Sequence, residues 1–201
     1  MIVHRELLLP FIGNRSYLHG TTVLQALLPF ATGFNEFSFR IPSPLLVNRL
    51  LLETGDESHS PPAASSQLWW IDSRRTRKWI SVSSGSALVP NNRVAYPEKE
   101  ILTGWSQAKS EASLKTPSGA TVFETLIALN KAFLSAFAPL SDDEQFLATR
   151  VDLKAPIPSD ATIRVRHVKL VGGRHHICKV FLDDIDSGMI YFARQKLIAA
   201  T

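Results

Sequence analysis

Two glycine-led stretches, 99 residues apart, carry the residue types best suited to chemistry. Gly119 precedes Glu124 by five positions at the head of a long apolar run, Ser118 to Phe137. Gly20 precedes Gln25 by the same interval, and His19 stands directly before that glycine. A helix starting near either glycine presents backbone N–H groups that lack an intrahelical acceptor, with the positive end of the helix dipole behind them. Such donors can polarise a carbonyl, and Thr21 and Thr121 lie beside them as further hydrogen-bonding groups. A carboxylate one turn further in, Glu124, can move a proton next to that carbonyl or orient a water. His19 is a candidate acid or base, or a helix-start cap. Gln25 is a hydrogen-bonding remnant of an acid position, or a surface group. The candidate catalytic residues are therefore Glu124 and His19, and the candidate binding residues are Gly119, Gly20, Thr21, Gln25 and Thr121.

The elements that must position these groups repeat. His19 to Leu28 aligns with Ser118 to Ile127 at a constant offset, 119 − 20 = 99 and 124 − 25 = 99. Phe37 to Pro44 then corresponds to Val151 to Pro158, a strand and a proline-marked break, and a further strand follows each. Order and spacing together imply a doubled unit, with an N-terminal repeat at 1–90 and a C-terminal repeat at 91–201. Each repeat is expected to hold one long helix, Thr21 to Phe30 or Ser118 to Phe137, followed by antiparallel strands. The class is α+β. Strands are predicted in the first half at Phe34 to Arg40, Leu45 to Glu53, Leu68 to Asp72 and Lys78 to Ser83. In the second they are predicted at Ile101 to Ala108, Phe146 to Leu153, Ala161 to Val171, His175 to Asp183 and Met189 to Ala199. Asp186-Ser187-Gly188 reads as the last tight turn. On the second helix Glu124 shares a polar stripe with Thr121, Ala128, Lys131 and Ser135, which faces water or a partner.

Composition removes several function classes. The chain has 201 residues, a formal charge of +4 and one cysteine, Cys178. One cysteine excludes an internal disulfide framework and a cysteine-based metal site, so a reduced, cytoplasmic setting is expected. No apolar run approaches the ~20 residues of a membrane span, and the start, MIVHRELLLPF, is a poor signal peptide because a glutamate interrupts it. No segment interleaves aromatic and basic residues as a nucleic-acid platform does. His175 and His176 must point to opposite faces of one strand, which argues against a joint metal site. Ser73 to Arg77 forms a basic hairpin tip, either a solvated turn or a dock for phosphates or an acidic carrier.

The succession of capped helix, strand, Pro156-Ile157-Pro158 break, long strand, Gly172-Gly173 turn and closing strands resembles the C-terminal part of hydroxyacyl-carrier-protein dehydratases. With two copies, the chain resembles a double hotdog, two long central helices each wrapped by an antiparallel sheet. That layout is similar to polyketide dehydratase domains, MaoC-like hydratases and thioesterases. The resemblance implies an acyl-thioester enzyme, dehydratase- or hydratase-like, acting on acyl-CoA or an acyl carrier protein. It implies no cofactor beyond the substrate's own pantetheine, and a monomeric pseudodimer or a homo-oligomer. The glycine-to-acid spacing at Gly119 and Glu124 matches the family's catalytic helix, and Gln25 stands in the helix that lacks the acid. The family's loop histidine is missing, since Pro10 and Phe11 occupy its position. This brings thioester hydrolysis by a helix carboxylate and water, and a non-catalytic acyl-binding or scaffolding protein, into contention. A fainter likeness to A-factor-type butyrolactone synthesis proteins rests on Val3-His4-Arg5 and on Glu100 to Trp105.

Overall fold

The computed structural model describes all residues except 1, 2, 14–16, 65, 86–92, 156 and 197–201. The expected repeat boundary at 90/91, Pro156 of the second proline break and the end of the last predicted strand lie outside the described residues. The chain divides into two compact units, the first reaching Tyr96 and the second starting at Pro97.

The first unit contains β1 (Val3–Leu8), β2 (Phe11–Ile12), α1 (Gly20–Leu27), β3 (Phe34–Arg40), β4 (Arg49–Asp56), β5 (Ser66–Asp72), β6 (Arg77–Ser84) and β7 (Arg93–Val94). Its five longer strands are all antiparallel, in the order β1-β4-β6-β5-β3. Alternation makes β5 a half-buried strand, with Ser66, Leu68, Trp70 and Asp72 inward. Across from it, Phe37 pairs with Trp70 and Phe39 with Leu68. Helix α1 is only eight residues long, so the expectation of two long helices fails in this half. Pro29 is the reason: its ring clashes with an earlier helical carbonyl and it lacks an N–H, so the α-helix gives way to a 3-10 turn, Leu28–Phe30.

The second unit contains α2 (Glu98–Ile101), β8 (Ser106–Ala108), β9 (Glu111–Lys115), α3 (Val122–Phe137), β10 (Glu144–Lys154), β11 (Thr162–Val171), β12 (His175–Leu182) and β13 (Ile185–Lys196). Its strands, also antiparallel, run β10-β13-β12-β11-β9-β8. The strand predicted at Ile101 to Ala108 is instead a short helix, a turn and the three-residue β8; the pre-helix strand is β9. Helix α3 buries ten of its sixteen residues, among them Leu126, Leu129, Phe133 and Leu134, and each large apolar side chain removed from water contributes about 1.5–3 kcal/mol. It ends at Ala138, which precedes Pro139 and is forced into an extended conformation.

The turn expected at Asp186-Ser187-Gly188 lies inside β13. The chain reverses earlier, at Asp183 and Asp184, both at positive φ (48° and 64°), which short polar side chains tolerate. Gly188 answers a different need: a Cβ there would sit 2.1 Å from the Asp152 carbonyl oxygen of β10.

Both units place the pre-helix strand and the first post-helix strand at opposite ends of five strands. They differ in the middle. In the second unit β12 follows β11 as its neighbour; in the first, β5 skips β4 and pairs with β3. Among the described residues, no helix is long and apolar enough to cross a membrane.

Candidate functional site

The head of α3 is built by a capping box, not by the Ser-Gly pair before it. The N-cap is Thr121, whose Oγ1 accepts a hydrogen bond from the Glu124 amide at 3.2 Å. The Glu124 carboxylate returns the contact: Oε2 accepts from the Thr121 amide and from Thr121 Oγ1, each at 2.9 Å. These bonds satisfy donors that a helix start leaves open. All of them use Oε2, so Oε1 of this half-buried carboxylate has no partner among the described residues. Gly119 lies outside the helix, exposed, at φ +85°. The Val122 amide, the first of α3, has no acceptor among the described residues. Gly119 is not part of the helix N-terminus.

The polar stripe is partly spoken for. Lys131 reaches α2, where its Nζ lies 3.3 Å from Glu98 Oε1. Thr125, buried, donates from Oγ1 to the Thr121 carbonyl at 2.9 Å and ties the second turn to the cap.

In the first unit, α1 begins at Gly20 with His19 as N-cap, and the His19 side chain does not cap the helix. The ring is buried, with Nδ1 2.6 Å from Thr21 Oγ1 and its face 5.2 Å from the Tyr96 ring. Val23 N–H is the first amide to find its helical acceptor, the His19 carbonyl. Gly20 is tightly backed, since a Cβ there would meet Ile41 Cδ1 at 3.0 Å. Gln25 does not occupy the place of Glu124. It stands six residues past its N-cap (25 − 19), whereas Glu124 stands three past its own (124 − 121). Six residues put it about 9 Å along the axis, beyond the open amides. The letters align, but the two helices start at different points of the alignment.

The remaining histidines of the second unit gather at the other end of α3. His176 is buried and His175 exposed, as their alternation requires. His176 Nδ1 lies 3.3 Å from His167 Nε2, His167 stacks at 4.6 Å on Phe137, and Phe146 meets His176 edge-on. Burial holds both imidazoles below their ordinary range, with His167 and Arg194 adding to the effect at His176. Phe137 is the last residue of α3 and Glu124 the third, so this pair lies about 20 Å along the helix from the carboxylate. Neither histidine is its proton-transfer partner.

Sequence reasoning missed Asn130. It is fully buried, and neither amide atom makes a hydrogen bond of ordinary geometry. It lies against Cys178, whose thiol burial pushes up to about 12 while the amide pulls the other way. Cys178 is thus a core residue and not a nucleophile. The available signal was a lone amide four residues after Leu126 and three before Phe133, on the apolar face. Among the described residues no three His, Cys, Asp or Glu side chains converge to hold a metal ion.

No protein-family model matches the chain, and no curated protein matches it by sequence. Solved structures do match by fold. The enoyl-isomerase of a trans-acyltransferase polyketide synthase superposes with a TM-score of 0.51 at 12% identity, covering 96% of this chain and 98% of that one. The dehydratase domain from the CurJ module of Curacin polyketide synthase gives 0.51 at 10% identity, covering 97% and 92%. A chain from Novosphingobium aromaticivorans described as a thioesterase gives 0.50 at 12%, covering 98% and 96%. These likenesses show a hotdog fold.

Proposed function

We propose that the protein is an acyl-thioester enzyme, a 3-hydroxyacyl dehydratase or hydratase built as a double hotdog, with Glu124 as its acid and base. The observation that carries this reading is the state of that carboxylate. One oxygen is fixed by the capping box and the other is unpartnered, at the head of a sixteen-residue helix whose first amide is open. In the forward direction Glu124 takes the proton from the acyl α-carbon and returns it to the departing β-hydroxyl, so a 3-hydroxyacyl thioester becomes an enoyl thioester and water. The Val122 amide, which has no acceptor among the described residues, supplies a backbone donor for the carbonyl oxygen on which charge develops. His19, Gly20 and Thr21 form a separate local group whose role is polar contact with the substrate.

Hydrolysis is the second reading. It is favoured by the position of His167 and His176, about 20 Å along α3 from Glu124, since a carboxylate that orients water needs no second acid or base. The test is a panel of 3-hydroxyacyl, enoyl and saturated acyl thioesters, on coenzyme A and on a carrier protein. Interconversion of enoyl and hydroxyacyl forms, lost in Glu124→Gln, supports the first reading, and release of free thiol supports the second. Binding without turnover identifies an acyl-binding or scaffolding protein. Turnover that survives Glu124→Gln removes Glu124 from the chemistry. His19→Ala is expected to raise KM more than it lowers kcat.

A further inference from the structure

The β5–β6 hairpin ends in Ser73-Arg74-Arg75-Thr76 and returns through Arg77. Arg74, Arg75 and Arg77 are exposed, and neither the Arg74 nor the Arg75 guanidinium has an ion pair or hydrogen bond among the described residues. The one acid of the tip is turned away from them. Asp72 is buried; its Oδ1 accepts the Arg74 amide at 2.9 Å and the Thr76 amide at 3.0 Å, and its Oδ2 meets Lys78 Nζ at 3.0 Å. Two further backbone bonds, Arg75 N–H to the Asp72 carbonyl and Asp72 N–H to the Thr76 carbonyl, close the turn. Arg77 is laid flat on the Trp69 ring at 4.2 Å. The tip is therefore a fixed turn carrying three unneutralised guanidinium groups, not a loose loop with charges on it.

Arg75 adds a second observation. It sits at φ 61°, a conformation that favours Gly or Asn and costs a long side chain free energy. The corresponding turn of the second unit, between β12 and β13, meets the same demand with the short polar side chains of Asp183 and Asp184, which tolerate that conformation better than an arginine does. A residue that breaks the local rule without a folding benefit marks a functional position.

We propose that this tip is the docking surface for an acidic protein, which on the reading above is the carrier that delivers the thioester. The chemistry favours a carboxylate-rich protein face over a small phosphate. A backbone nest for phosphate uses converging N–H groups, and here the amides of residues 74, 75 and 76 are all consumed within the turn. The guanidinium groups ride on a projecting turn, which suits several spaced carboxylates. The tip also lies beside Gly33, where a Cβ would come 4.0 Å from Ser73 Oγ, at the far end of α1 from His19.

The experiment measures binding and turnover separately, with the full chain and an acidic phosphopantetheinylated acyl carrier protein as probe. Arg74→Glu/Arg75→Glu is expected to weaken carrier binding at least tenfold at low salt, and high salt should erase the difference by weakening the wild type. kcat/KM for a carrier-borne thioester should fall alongside, while the same acyl group on N-acetylcysteamine is processed unchanged. Arg75→Gly should raise Tm while weakening carrier binding about threefold, a pairing that a purely structural role does not produce. Equal losses on both substrates, unaltered carrier binding, or loss of binding to coenzyme A alone would overturn the proposal. If no thioester is turned over but the charge-reversed protein still loses the carrier, the enzymatic reading fails and the docking surface stands.

Discussion

Glu124 holds two jobs in the structure, cap and carboxylate, and they separate under three substitutions. Thr121→Ala removes the N-cap oxygen and should cost about 1 kcal/mol, a Tm loss of roughly 2–4 °C for a chain of this size. Glu124→Ala removes both bonds that Oε2 accepts from Thr121, and a similar cost of about 1 kcal/mol is expected. Glu124→Gln keeps an oxygen that can accept both bonds, because glutamine also closes a capping box. It forfeits only the interaction of a negative charge with the helix dipole, roughly 0.5 kcal/mol for a half-buried residue. Stability should therefore fall in the order glutamine variant, then the two alanine variants together. Activity should follow another order. The glutamine variant loses proton transfer, roughly 10²–10⁴-fold in kcat, whereas Thr121→Ala keeps the carboxylate and should lose tenfold or less. Thermal melts and enoyl-thioester hydration rates on the same preparations test both orders. A glutamine variant as unstable as Glu124→Ala would refute the capping argument, and one that retains turnover would refute the catalytic one.

Three further outcomes follow from groups away from that helix start. Burial lowers the pKa of His167 and His176 in the folded chain, while the unfolded chain protonates them at about 6.5; stability is thus complete above that pH and declines as pH falls below it. Arg194, itself 3.9 Å from Glu144 Oε2, acts on the same cluster, and urea melts from pH 7.5 to 5 should show a shallower acid decline in His176→Leu. Cys178 should react with a disulfide reagent far more slowly in the native protein than in denaturant, since its thiol is buried and pushed up to about 12; fast native labelling would contradict its core assignment. Gly188→Ala should cost about 2–4 kcal/mol by denaturant unfolding, because a Cβ meets the Asp152 carbonyl at a φ of 137°.

The residues that were legible are those whose pattern has a single physical meaning. Helix α3 was readable from its apolar face and its Pro139 stop, and β11 and β12 from their alternation around Gly172-Gly173. The helix start was misjudged by three residues because Ser118-Gly119 looks like a cap, while Thr121 and Glu124, the residues that do cap, were read as chemistry. Gly188 was taken for a turn residue; its requirement comes from the Asp152 carbonyl on another strand, which no local pattern contains. The same holds for α2, whose last residue, Ile101, was read as the start of a strand because Ile101 and Leu102 are apolar, and for Asn130, whose burial depends on neighbours distant in sequence.

The different middle order of the two five-strand arrangements is written in the connections and not in the strands. Three residues separate β11 from β12 and two separate β12 from β13, so each strand must lie beside its predecessor. Nine residues separate β4 from β5, enough to carry the chain across the end of a neighbouring strand. One side chain fixes the start of that crossing: the fully buried Trp79 of β6 donates its Nε1 hydrogen to the carbonyls of Asp56 and His59, at 3.0 and 2.9 Å. The indole also occupies the space a Cβ on Gly55 would need. Trp79 thus holds the departing loop against β6, and β5 is free to pair with β3. The crossing also sets where the basic tip falls, because Ile71 and Arg77 pair across a β5–β6 hairpin whose strands sit between β3 and β4. A repeat that conserved the short connections would have put that hairpin elsewhere, so the loop that looked like filler decides where the three arginines are presented.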